Sequence, residues 1–408
     1  MTVTHTVGRR AYNNRSGRII PNVLPRIILI DDNPAGDAFL AIMVKALGPG
    51  RATKQEKVTW DVDEYRARTD TTSASATSTA TTISVTTATY YNAGEQWMNK
   101  RTGEHFYISS VSTAQGNIDV IREISALSSG GGTAKAAMNS GDTLVRIGAL
   151  VGEDNRRQAY KHTLPAEVFN FTEAKRWDIS VSRRQMKREF ENDDEFSYLE
   201  KKQMVEARRE LNAMFIAGER GRFDHPSMGD TTMTDGFRSV IATNTFPVGG
   251  TLFEYDFDDW LINEALVHVT GNVLFPVSRA VMLAFTQMGK DRLSYQVDLG
   301  GKKGAIGVQV TEYVAPNGVR LMMFEDRYLS EVFSGEGFTL DGSMLERRVF
   351  SNNGIDDDLH LIANTEDDDD MGRVDTLYCD MGLQYGAEVH HGYLSGVTGG
   401  AKGAPGIS

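Results

Sequence analysis

A single cysteine, Cys379, stands among 408 residues, so no disulfide can form within the chain, and a reducing setting is expected. No apolar run approaches the ~18–20 residues needed to cross a bilayer. The N-terminal arginines are not followed by an apolar stretch and a cleavage site, so no secretory signal is read there. Without one, Asn170-Phe171-Thr172 is taken as a chance match to a glycosylation acceptor. An excess of positive charge is missing too. The net charge is −12, which argues against a general phosphate binder, because such proteins present a dominant basic surface. The basic charge collects at one end: Arg9, Arg10, Arg15, Arg18 and Arg26 fall in the first thirty residues with no acid among them. That arm of +5 leaves −17 for the remainder.

Also missing is any constellation that carries catalysis. No Ser/His/Asp or Cys/His arrangement can be argued, and Cys379 falls in a strand pattern with no basic residue beside it. Gly300-Gly301-Lys302-Lys303-Gly304 lacks the Gly-Lys-Ser/Thr ending of a phosphate cradle and reads as a loop. His390 and His391, adjacent on an expected strand, point to opposite faces and cannot easily share an ion. His268 reads as a surface or core residue. Eight carboxylates fall in 356–370, from Asp356, Asp357 and Asp358 to Glu366 and Asp367–Asp370. They could offer hard oxygen ligands, but from Asp367 the calcium-loop spacing fails at Met371 and Tyr378, and a solvated loop fits better. No catalytic, cofactor-binding or metal residue is assigned, and the chain is not expected to be an enzyme.

What is present is one long helix, predicted over 193–217. Phe196, Leu199, Ala207, Leu211 and Phe215 share one stripe of a 3.6-residue period. Asn192, Asp193, Asp194 and Glu195 supply a cap and an acidic first turn, and Gly218 a stop. Lys201, Lys202, Glu206, Arg209 and Glu210 form the opposite face, with Lys202 and Glu206 an i,i+4 pair. At 1.5 Å per residue the helix spans about 37 Å, a strut for laying across a sheet.

Before it, residues 1–57 read as an extended arm punctuated by Pro21, Pro25, Pro34 and Pro49. Residues 58–150 read as a β-rich excursion with little core of its own. Of the 21 residues from 69 to 89, 18 are Thr, Ser or Ala, a composition that alone suggests a linker or stalk. Strands are expected at 104–112, 117–124 and 143–150. After the long helix, 231–335 alternates helix and strand as one α/β unit. There Thr251 and Glu254 suggest a capping box before a helix through Trp260, Leu261, Leu266 and Val269 that closes at Gly271. A buried strand is expected at 279–285, a helix at 288–295, and a hairpin around Pro316-Asn317-Gly318. Short strands follow at 338–340, 344–350, 359–363 and 374–390. The Gly-rich residues 396–408 read as a loose tail.

This order of arm, β excursion, long helix, α/β insert and returning strands resembles the Hong Kong 97 fold of tailed-phage major capsid proteins, an α+β fold. Val58-Thr59-Trp60-Asp61-Val62-Asp63-Glu64-Tyr65 resembles the Trp-containing strand that opens the excursion in the major head proteins similar to that of phage SU10. Asn155-Arg156-Arg157-Gln158-Ala159-Tyr160 with Phe171-Thr172 resembles their entry to the long helix. Val310 to Val319, Asp326-Arg327-Tyr328-Leu329 and Leu345-Glu346-Arg347 resemble their later hairpin and strands. The resemblance implies an N-arm (1–57), an E-loop (58–150), a P-domain (151–230) with its spine helix, an A-domain (231–335), closing P-domain strands (336–395) and a tail (396–408). It also implies self-assembly into hexameric and pentameric capsomers of an icosahedral or prolate head enclosing double-stranded DNA, made in the host cytoplasm and located in the virion. A portal and a separate scaffolding protein are implied partners, and a decoration protein a possible one. DNA contact would be non-specific, with no membrane involved. The arm is read as lying along an acidic neighbour rather than on DNA, and Lys100 and Lys135 are the lysines placed for any covalent crosslink. The alternative on the same fold is an encapsulin-like nanocompartment. A β-rich carbohydrate-binding protein is a third reading, which the scattered Trp60, Trp97, Trp177 and Trp260 do not favour.

Overall fold

The structure, a computed structural model, describes residues 50–122, 124, 136–150, 153, 162–187, 195–227, 229–269, 271–288, 293–295, 310–352, 355–366 and 372–403. The chain divides into two units: one holds residues up to Trp60 and from Phe169 onward, the other Asp61–Val168.

The larger unit is built on two sheets and the long helix, Glu195–Ala217. Phe196, Ala207, Leu211 and Phe215 of the expected stripe are buried, and Leu199 is half-buried. Lys202 Nζ meets Glu206 Oε1 at 3.8 Å on the outer face. The residues expected to cap the helix before Glu195 lie outside the described residues. Gly218 ends it by close approach: a Cβ there would lie 2.5 Å from the Met214 carbonyl oxygen and 2.6 Å from that of Thr234. The helix is tied to both sheets. Trp177 Nε1 donates to Glu210 Oε2 at 2.8 Å, and Asn212 Nδ2 to Asp326 Oδ2 at 3.0 Å.

The first sheet runs Arg51–Thr53, Glu346–Asn352, Gly372–Gln384, Glu173–Ser182, with Ile355–Asp356 and His360–Ile362 attached. Arg51–Thr53, within the expected arm, pairs parallel to Arg348–Phe350. The second sheet runs Thr245–Phe253, Gly392–Ala401, Gly337–Asp341, Val273–Val277, Arg320–Glu325, Val310–Val314, Leu293–Tyr295. Its core joins Phe257, Phe275, Phe285 and Tyr313, with ring centroids 5.0 to 6.0 Å apart. The hairpin expected at Asn317-Gly318 is present, with Gly318 at φ +85°, a conformation that favours glycine.

Four expectations in this unit are corrected. The strand lies at Val273–Val277, and 279–285 belongs to the helix Arg279–Met288, whose buried Val281, Ala284, Phe285 and Met288 follow a helical period. The helix expected at 288–295 is therefore displaced: 289–292 lie outside the described residues, and Leu293–Tyr295 is a strand. Thr251 sits inside the strand Thr245–Phe253, so no capping box forms. The helix Glu254–Trp260 starts after Phe253 with no side-chain cap and continues as a wider turn, Leu261–Ala265, ending short of Gly271. The Gly-rich tail is a strand as far as Ala401: it continues Gly392–Ala401, whose first residues pair antiparallel to Gly337–Thr339, and Val397–Ala401 pair parallel to Gly250–Phe253. Its glycines admit neighbours: a Cβ on Gly400 would collide with the Ala284 backbone.

The smaller unit is also more than an excursion with little core. Its sheet runs Thr69–Thr71, Thr143–Ala149, Glu95–Asn99, His105–Ser112, Asn117–Arg122, Thr82–Ser84. The two end strands are joined by Ser73 N to Ser84 O at 3.0 Å, Thr86 N to Thr71 O at 2.9 Å and a Thr72–Val85 bridge, which closes a barrel. Inside are Ile83, Val85, Tyr91, Trp97, Phe106 and Leu144, among other apolar residues. The excursion thus has the core it was not expected to have. The Thr/Ser/Ala tract is its seam, not a stalk, because β-branched threonines suit a strand and Ala76, Ile83 and Val85 point inward.

Candidate functional site

The chemistry-bearing residues are placed as structural groups. Cys379 is fully buried in Gly372–Gln384, where burial pushes its thiol up to about 12. Lys175, its cross-strand partner, is the basic neighbour that the sequence did not reveal, but its charge does not offset the burial.

His390 and His391 do not sit on a strand. Glu388–His390 is a 3₁₀ turn that joins the first sheet to the second. Both imidazoles meet one residue: His390 Nδ1 lies 3.3 Å from Asp341 Oδ2, and Asp341 N donates to His391 Nδ1 at 3.3 Å. His391 Nε2 faces the Tyr385 carbonyl at 2.7 Å, and burial pulls its pKa down to about 4, so the ring is neutral at pH 7. The His268 ring lies tilted against that of His390, with centroids 5.8 Å apart. Among the described residues, no group of three or more His, Cys, Asp or Glu side chains is arranged to hold a metal ion.

The acidic stretch is less solvated at its described end than expected. Asp358 takes both guanidinium nitrogens of Arg347, at 2.5 and 2.9 Å. Burial alone would raise the Asp358 pKa; the hydrogen bonds and charge of Arg347 bring it below the usual carboxylate value. Glu366 accepts from Val374 N at 3.1 Å, and 367–371 lie outside the described residues. The glycine-lysine loop at 300–304, Lys135, residues 155–160 and the basic arm also lie outside them. Lys100 is exposed in a turn of the barrel. Asn170 is buried, with Nδ2 donating to Leu383 O at 2.7 Å and Thr234 Oγ1 at 3.1 Å, so the apparent glycosylation acceptor is a packing residue.

At the start of the excursion, Trp60 anchors in the larger unit, its Nε1 donating to Gly386 O at 2.7 Å and its ring edge-on to Tyr385. Inside the barrel, two ion pairs are buried: Arg122 with Glu104, at 2.5 and 2.8 Å, and Arg66 with Glu95, at 2.7 and 3.2 Å. Sequence reading missed these, since nothing local distinguishes a buried arginine from an exposed one.

Among the described residues the arrangement offers no reacting constellation and many anchoring contacts. No curated protein matches the chain. Among solved structures, the capsid of a native GTA particle covers 97% of this chain and is itself covered completely (100%), at 8% identity and TM-score 0.46. A Microbacterium phage Oxtober96 structure covers 93% of this chain and 97% of its own, at 10% identity and TM-score 0.45. The SrpI encapsulin complex of Synechococcus elongatus covers 58% and 78%, at 12% identity and TM-score 0.41. The model of the SU10 major capsid protein family matches residues 4–398. The chain therefore belongs to the SU10 major capsid protein family and is a capsid shell protein.

Proposed function

We propose that this chain assembles into hexameric and pentameric capsomers of an icosahedral or prolate head that encloses double-stranded DNA. The observation that carries the reading is the match to a major capsid family over nearly the whole chain. In these terms residues 1–57 are the N-arm, 58–150 the E-loop, 151–230 the P-domain with its spine helix, 231–335 the A-domain, 336–395 the closing P-domain strands and 396–408 the tail. The separate barrel of Asp61–Val168 supports treating the excursion as an element that reaches beyond its own subunit. Portal, scaffolding and decoration proteins are the further partners, and assembly takes place in the host cytoplasm. The shell role is structural and not catalytic, in keeping with a buried, high-pKa Cys379 and a buried, neutral His391. Many modest contacts per subunit, summed over a closed shell, supply the holding strength.

Negative-stain microscopy and sedimentation of the purified chain, at low and physiological salt, test this. Closed shells or regular rings are expected, and nucleic acid rather than protein cargo inside shells made in cells. A monomer that stays monomeric at high concentration, with or without a scaffold, overturns it.

A further inference from the structure

The adjacent histidines His390 and His391 have different partners in the fold. His391 is fully buried and has both nitrogens engaged: Nδ1 accepts from Asp341 N, and Nε2 donates to the Tyr385 carbonyl. It offers no lone pair to a ligand. His390 is half-buried, and its ring faces that of the exposed His268, with centroids 5.8 Å apart and planes tilted by 41°. A first-row metal ion binds an imidazole nitrogen at about 2.0–2.1 Å, which puts each ring centre about 3.2 Å from the ion. Two rings on one ion then have centroids about 5.2 Å apart at a tetrahedral angle and about 6.4 Å apart when opposite. The observed spacing falls between these limits.

His390 is also held as a metal-binding imidazole needs to be. Its Nδ1 donates to Asp341 Oδ2 at 3.3 Å; a carboxylate can only accept, so the proton sits on Nδ1 and Nε2 keeps its lone pair. A carboxylate behind the ring is the support that metal-bound histidines use. Asp341 is buried and fixed in turn, its Oδ1 accepting from Ser343 N at 2.9 Å and Ser343 Oγ at 2.7 Å. The turn that carries His390 is pinned by Glu388, whose carboxylate accepts from Ala242 N, Thr243 N and Thr243 Oγ1. His268 is held between the buried Leu266 and Val269, and its ring nitrogens take no hydrogen bond among the described residues. We propose that His268 and His390 bind one divalent transition-metal ion of the kind that imidazole prefers, zinc, nickel or copper, with Asp341 orienting His390 and water filling the remaining positions. With only two protein ligands the ion binds reversibly, unlike a closed four-ligand structural site. It staples the end of the helical segment 254–265 to the turn between the two sheets. A cation is favoured there by the C-terminal end of the helix dipole. The proposal stands apart from the shell reading.

The test is a calorimetric titration of zinc into the purified, unassembled full chain after a chelator has stripped it of metal. One zinc ion per chain is expected to bind, with copper and nickel competing for the site and magnesium and calcium, which prefer oxygen, failing to compete. His268→Ala, a change at an exposed side chain, and His390→Ala should each weaken this step at least about tenfold. His225→Ala, on the exposed hairpin that begins at Gly221, should leave it unchanged. Zinc should also raise the thermal-unfolding midpoint of the wild-type chain but not that of His268→Ala, because an ion stabilises only the state that binds it. Wild-type affinity in His268→Ala, or an equal rise of midpoint in both chains, overturns the proposal. So does a wild-type chain that takes up no zinc at millimolar concentration. None of these results bears on whether the chain forms shells, so the two readings fail separately.

Discussion

The two units of the chain solve the burial problem in opposite ways. The two-sheet body closes around aromatic rings packed at about the spacing expected of edge-on pairs, with Phe257 touching Phe275, Phe285 and Tyr313. The barrel has about a hundred residues to work with and a much smaller apolar cluster. It closes its sheet on itself, which removes exposed edges, and braces the wall with buried arginine–carboxylate pairs. The body is therefore sensitive to shape, and the barrel to charge. The excursion thus keeps a core of its own.

The largest expected effect tests the barrel's dependence on charge. Arg122→Ala leaves Glu104 buried and unpaired, and also strips the Thr77 and Ala136 carbonyls of their donors. A loss of about 3–5 kcal/mol in urea unfolding of the unassembled chain is expected, followed through Trp97. The double change Arg122→Met, Glu104→Leu should recover most of it. If it recovers nothing, the pair contributes more than the absence of an orphaned charge.

Acid should separate the two units in the other order. His391 is held neutral by burial, faced by Asp341, His390 and Glu388, with a folded pKa of about 4 against 6.5 unfolded. The unfolded chain therefore takes up the proton first, and body stability declines as pH falls from 6.5 toward 4, by about 3 kcal/mol in all. Asp142 in the barrel has its carboxyl pKa lowered, chiefly by the Arg101 hydrogen bond. Its contribution is complete above the unfolded value of 3.8 and is lost only below it. Unfolding curves at pH 7, 5 and 4 should show the body weakening first. His391→Gln, which can still accept from Asp341 N and donate to Tyr385 O, should flatten that slope. An unchanged slope would place the acid-sensitive group elsewhere.

A smaller effect probes the body's dependence on shape. Gly400→Ala drives a methyl into the backbone of the helix Arg279–Met288 at Ala284, and about 2 kcal/mol of destabilisation is expected. Gly399→Ala, next to it, meets only Gln287 Oε1 at 3.5 Å and should be nearly neutral. Thermal denaturation of the pair separates a packing cost from a general intolerance of side chains in that strand.

These contrasts mark where the sequence was readable. The long helix and the Asn317-Gly318 hairpin rest on local signals: a stripe along one face, and a backbone conformation that glycine favours. The helix Arg279–Met288 was misread because Val281, Met282 and Leu283 are consecutive apolar residues, equally consistent with a buried strand until Met288 extends the helical period. Gly399 and Gly400 read as looseness, since only the register against Ala284 shows what they admit. The barrel core was hidden for a similar reason. Ile83 and Val85 lie in a Thr/Ser/Ala tract, and their partners, among them Gly116 and Ile118, lie some thirty residues away in sequence. Closure of that kind is non-local. The same holds for His390 and His391, whose common partner Asp341 lies about fifty residues earlier.

The smallest expected effect sets the floor for the comparison. Lys202 and Glu206 face each other at 3.8 Å on the outer side of the long helix, each about half-exposed. Water screens such a pair, and holding two long side chains costs entropy, so Lys202→Ala should cost no more than about 0.5 kcal/mol in the free chain. The helix is instead held from its inner face, by the buried stripe and by its ties to Trp177 and Asp326. A change well above that ceiling, abolished by salt, would mean that charge also governs the body. A change near zero in the free chain, coupled with slower assembly, would instead place the outer face of the helix against a neighbouring subunit.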